Sequence, residues 1–314
     1  MSELYAVYRK YKKKTLAILD LYNLEPKEVA IWSAITPVAL LFAFLLGRWL
    51  APLTAFLSGS KLYSPANYQY SESTRFDNTI LTYGTDYILA ALMGSLGVAI
   101  ANVKSTHNLN LKYLASALLI SYSLSTFTGA LCHHFLSTPA RMNALLFRTL
   151  WRLCVGLVGI GGGIIGAIGT ELLDIFNREK GIKSLFPVPR IPHGFWFCWS
   201  AYFFFIICIG SYSMRQPACD IFLTGVTQAI PTVYLVSVLV SKKSLKKLGI
   251  SNSMRNLLLF GALGNIPLLP LYDLFNFLKF SLGLSNTLLH STLGVAWGSQ
   301  GLALLRILNK LKKE

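Results

Sequence analysis

Long apolar runs joined by short polar connections dominate the chain. A helix crossing hydrocarbon needs about 20 mostly apolar residues, because each backbone amide must be satisfied within the segment. Eight runs meet that requirement: 33–57, 79–101, 113–136, 149–173, 194–213, 218–240, 257–275 and 285–305. The connections leave no room for a separate soluble domain of useful size. The pattern therefore predicts an all-α, polytopic membrane bundle of eight transmembrane helices. A segment 1–32 precedes it and a tail 309–314 follows it.

Composition narrows the class. Of 314 residues, 54% are hydrophobic and 13% charged, about half the charged fraction of roughly 25% usual in soluble domains. With a mean hydropathy of +0.52, this excludes an ordinary soluble enzyme, a disordered chain and a secreted disulfide scaffold. Lys and Arg number 29 against 13 Asp and Glu, a net charge of +16. A nucleic-acid partner would need a solvated basic face, and the chain has few solvated segments to build one. The partner class that fits is membrane lipid.

Sorted by loop, the charge becomes topological. Only six basic residues, Lys61, Arg75, Arg141, Arg148, Arg215 and Lys279, fall on one side, and Arg48 and Arg152 fall within spans; the remaining 21 lie opposite. The positive-inside rule then places both termini in the cytoplasm. The first 14 residues are polar and basic, which predicts no secretory signal peptide. Residues 3–22 mix apolar side chains with lysines, suiting either an interfacial helix on anionic lipid or a solvated segment that fixes topology. Lys310 and Lys312 near the terminus resemble a dilysine retrieval signal, which points to the endoplasmic reticulum or another endomembrane.

Five cysteines, Cys132, Cys154, Cys198, Cys208 and Cys219, form no paired framework and read as small core residues. The fourth span holds Gly156, Gly159, Gly161, Gly162, Gly163, Gly166 and Gly169. Without the following lysine and Ser/Thr of a phosphate loop, these glycines predict close helix packing. His107 and His193 fall on connections, as solvated or interfacial groups. Trp49, Trp151, Trp196, Trp199, Tyr202 and Tyr212 fall near span ends, as interface anchors.

Ionisable residues within spans are costly and invite a functional reading. Alternating the spans brings Asp86, His133, His134, Arg152, Cys154, Asn286 and His290 to one depth in the non-cytoplasmic half, with Asp220 and Asp273 at the same side; Glu171 and Asp174 fall at the cytoplasmic end. His133 and His290 would supply two imidazoles to a zinc ion, with Cys154, His134 or Asn286 as the third ligand. Asp86 would then accept a proton from metal-bound water. The competing reading has no cofactor: polar residues gather near helix ends because water and headgroups are close.

Four motifs occur in a familiar order. Residues 76–83, FDNTILTY, resemble the Glu/Asn/Thr-containing start of the first helix of the CREST superfamily, which includes alkaline ceramidases and progestin and adipoQ receptors. Gly129 to His133 resembles that family's Ser-x-x-x-His, with Gly129 at the serine. Leu150 to Cys154 resembles the start of its third helix, with Cys154 at an aspartate. Asn286 to His290 resembles its His-x-x-x-His, with Asn286 at the first histidine. The resemblance covers about residues 72–308 and sets the span 33–57 apart as an addition. It implies a seven-helix core, a three-histidine zinc site of which two histidines are present, and hydrolysis of lipid amide bonds. The substituted positions imply two outcomes: a lipid-directed hydrolase with an altered metal site, or a noncatalytic binder of lipid or protein.

Overall fold

A computed structural model describes residues 70–72, 76–104, 108–179, 181–209, 217–265, 274–275 and 277–311. Among these the regular elements are helical: α1 (Ile80–Ala101), α2 (Leu109–Phe135), the single turn α3 (Pro139–Met142), α4 (Leu145–Arg178), α5 (His193–Ile209), α6 (Pro217–Val240), α7 (Asn252–Leu263) and α8 (Leu282–Leu311), with a 3-10 turn at Lys246–Leu248. The one extended pairing among them is an isolated bridge between Ser184 and Lys242.

Helices α1, α2 and α4 are long and apolar enough to cross a membrane. Their outward faces are apolar too: Ile80, Ile88 and Leu145 are 70%, 69% and 77% exposed. A helix that is apolar all round suits hydrocarbon rather than water. The helices neighbour one another in the order α8, α1, α2, α4, with α4 packed on α5 and α6, and α7 bridging α6 and α8. Such a ring leaves α4 as its most enclosed member.

Small residues make that enclosure possible. A Cβ at Gly162 would lie 2.6 Å from the backbone oxygen of Thr227 on α6, and one at Gly166 would penetrate the Trp196 indole on α5. Hydroxyls and amides tie neighbouring backbones as well. Ser121 donates to the Leu157 carbonyl at 2.7 Å, Ser200 to Ile160 at 2.9 Å, Gln228 to Val158 at 3.1 Å and Gln300 to Gly261 at 2.8 Å. Close contact and such bonds are what packs helices whose outward faces are apolar, where the hydrophobic drive between soluble helices is missing.

The predicted runs from 79 onward coincide with helices, while 33–57 and the segment 1–32 lie outside the described residues. The run 257–275 differs: α7 begins earlier, capped by Ser251 accepting from Met254 N, and ends at Leu263, before residues 266–273, which are outside the description. Trp196 and Trp199 are not interface anchors. They are 0% and 1% exposed, and their indoles donate to Thr170 Oγ1 at 3.1 Å and the Thr227 carbonyl at 2.9 Å. Near-end position in sequence does not distinguish an aromatic facing headgroups from one facing a glycine groove.

Candidate functional site

At the end of the bundle where α1, α4 and α8 begin and α2 finishes, a polar group forms among apolar helices. Asp77, just before α1, accepts from Thr79 Oγ1 at 2.8 Å and from the Thr82 hydroxyl, and its backbone oxygen meets His133 Nδ1 at 2.7 Å. Phe76 lies flat on the His133 ring, centroids 4.3 Å apart, and Trp151 meets that ring edge-on. His133 is thus oriented by a ring stacked on one face, a second ring set perpendicular to it, and a hydrogen bond at one nitrogen. With Nδ1–H donating to a carbonyl, Nε2 is its unprotonated nitrogen.

Asp86, one turn further along α1, is 4% exposed and lies 3.3 Å from His290 Nε2 on α8. His290 Nδ1 lies 2.9 Å from Thr85 Oγ1. The same hydroxyl lies 2.7 Å from the Leu81 carbonyl and 2.9 Å from the Thr82 carbonyl, two acceptors for its one proton. His290 is thus met at both ring nitrogens, by the Asp86 carboxyl at Nε2 and by the Thr85 hydroxyl at Nδ1.

The remaining sequence-predicted residues sort around this couple. A Cβ on Gly129 would lie 3.1 Å from Cys154 Sγ and 3.7 Å from Asp86 Oδ2. Positions 86, 129 and 154 therefore meet across α1, α2 and α4. Ser125 donates to the Cys154 carbonyl at 2.6 Å, with its oxygen 3.7 Å from Cys154 Sγ. Asn286 is buried one turn before His290. His134 turns away: it is exposed and stacks on Tyr83 with centroids 4.1 Å apart. The Asp220 side chain, Asp273, His107 and the side chains of Cys208 and Cys219 lie outside the described residues.

A zinc ion needs three converging protein ligands and an open position. His133 has the geometry of a zinc-binding imidazole, with Nδ1 on a carbonyl and Nε2 available. His290 does not, since Nε2 faces Asp86 and Nδ1 faces Thr85. Among the described residues no group of three or more His, Cys, Asp and Glu side chains is arranged to hold a metal ion. As placed, His133, His290 and Cys154 do not fit the three-ligand set.

The opposite end carries a second polar group. His193 opens α5 and is buried, with Nε2 3.0 Å from Glu171 Oε1, which Asn110 also approaches at 3.3 Å. Its place on a connection suggested solvent, but the return from α4 to α5 folds that residue inward. Arg190 binds Asp174 through two parallel bonds of 2.7 and 2.8 Å.

Thr85 and Ser125 were not singled out from sequence. Threonine and serine are common in membrane helices, where they bond back to their own turn, so composition marks neither. Thr85 stands out only once α8 is known to lie beside α1.

Comparisons with protein-family models, curated proteins and solved structures found no match.

Proposed function

We propose that the chain is a polytopic membrane protein with a CREST-like seven-helix core, both termini cytoplasmic, that acts on a membrane lipid at the Asp86–His290 couple. The observation that carries this reading is a buried carboxyl lying 3.3 Å from an imidazole where two helices that begin at the same end meet. Unpaired, either group is costly in that setting. The meeting of positions 129 and 154 beside Asp86 also supports it, because 129 and 154 are motif positions of the resemblance. In amide hydrolysis, Asp86 and His290 would take the proton of a water that adds to the carbonyl. The carbon–nitrogen bond then breaks and the proton passes to the departing amine.

The noncatalytic reading has its own support: both His290 nitrogens are engaged, and Gly129, Cys154 and Asn286 replace the motif's serine, aspartate and histidine. Full-length protein incubated with an amide-linked lipid separates the two. Fatty-acid release above a lipid-only control, lost in both Asp86→Asn and His290→Gln, supports hydrolysis. Lipid that copurifies and stays bound without release supports the binder. Neither release nor retained lipid refutes both. Elemental analysis for zinc on protein purified without chelator, beside His133→Ala, tests the metal site.

A further inference from the structure

At the lysine-rich end, the segments after α4 and after α6 pair as a short antiparallel bridge. Leu185 N donates to the Ser241 carbonyl at 2.6 Å and Lys243 N to the Lys183 carbonyl at 3.1 Å, flanking the Ser184–Lys242 bridge. That register sets exposed Lys183 directly opposite exposed Lys243. Like charges facing across such a pair are destabilising.

Between them Lys242 is buried, its ammonium donating to two neutral oxygens, Asn177 Oδ1 at 2.7 Å and Ser184 Oγ at 2.8 Å. Among the described residues no carboxylate lies within ion-pair distance of these three lysines, and the nearby Asp174 is taken by Arg190. The neighbouring 3-10 turn adds Lys246 and Lys247, and Gly249 at φ 68° turns the chain back toward α8. Arg255 fixes the arrangement by donating Nη1 to the Lys242 carbonyl at 3.0 Å, and its buried Nε has no hydrogen-bond partner.

Alternation of spans explains why lysines occupy this end, but not why two are held face to face with a third buried beneath. The geometry points to a phosphate-binding site on Lys183 and Lys243, taking the phosphorylated headgroup of an anionic membrane lipid. The site lies at the end of apolar helices, where a headgroup phosphate is present and dissolved phosphate is dilute. It rests on the membrane-spanning part of the reading above, not on the Asp86–His290 chemistry.

The test uses full-length protein in neutral detergent. Thermal stabilisation is titrated with short-chain phosphatidylinositol phosphate, phosphatidylserine and phosphatidylcholine, and with inorganic phosphate. The phosphoinositide is expected to half-saturate lowest and phosphatidylcholine to have no effect. Lys183→Gln with Lys243→Gln, both at exposed positions, is expected to raise that midpoint roughly 30-fold, from about 1 kcal/mol per basic residue. The wild-type midpoint should rise with salt. Equal response to phosphatidylcholine, an unchanged midpoint in the double variant, or inorganic phosphate acting as strongly as lipid each overturns the proposal. Carbonate extraction of the wild type separates the two failures. Release from membranes refutes the membrane reading and this site with it, whereas a protein that stays membrane-bound yet shows no headgroup preference refutes the site alone.

Discussion

Gly162→Ala is the sharpest test of the packing. The added methyl would lie 2.6 Å from the Thr227 carbonyl oxygen and 3.1 Å from its carbon. These are backbone atoms of α6 and cannot rotate aside. An ordinary carbon–oxygen contact is about 3.3 to 3.6 Å, so α6 must withdraw by roughly 0.7 to 1 Å. The same oxygen accepts from Trp199 Nε1 at 2.9 Å, and withdrawal stretches that bond as well. Overpacking costs about 1 to 3 kcal/mol and weakening the bond up to about 1, against about 1 gained from alanine's helix preference. A net loss of up to about 3 kcal/mol is expected, or up to about 12 °C at 2 to 4 °C per kcal/mol. Gly84→Ala on α1 is the control: a Cβ there meets nothing within 4 Å, so helix preference alone should leave it neutral or raise stability. Tryptophan fluorescence on heating in detergent reads both. Equal melting of the two variants would refute the close approach of α4 and α6.

Other outcomes follow from the polar contacts. Asp86→Asn and His290→Gln should each destabilise, and the double variant should lose less than their sum by about 0.5 to 3 kcal/mol; strict additivity in thermal melts argues against direct coupling. Glu171→Ala removes the partner of buried His193 and should cost about 3 kcal/mol, with faster proteolysis of the connection 181–192; unchanged cleavage would contradict the inward fold of that segment. Burial lowers the Lys242 pKa from its ordinary 10.5. Between that lowered value and 10.5 the folded state binds fewer protons than the unfolded state, so stability should rise with pH. Lys242→Met should flatten that rise, and parallel pH profiles for the two proteins would exclude Lys242 as its source.

The fold was legible where periodicity had nothing to decide. A run such as 79–101 is long enough and apolar enough that helix α1 follows from backbone satisfaction alone, and the α4 glycines announce close neighbours. Which neighbours they meet was not legible, because Trp196 over Gly166 depends on where α5 lands. The candidate site was legible to the level of depth. Asp86, His133 and His290 share an end by alternation of spans, but the Asp86–His290 pairing requires α8 beside α1, a choice made by side-chain fit. His193 shows the limit of reading a connection as solvated: once Glu171 at the end of α4 is buried, the next helix starts by answering it.

Pairing the first and last described helices also has a consequence during synthesis. Thr85 and His290 are separated by 205 residues, which at 5 to 20 residues per second is roughly 10 to 40 s of elongation. For that interval Asp86 sits in a nascent hairpin without its imidazole. A ribosome-stalled or truncated chain lacking α8 should therefore be held by insertion factors or degraded, and α8 supplied as a separate peptide should rescue it. Completion of the chain, rather than insertion of its first helices, would then be the event that quality control senses.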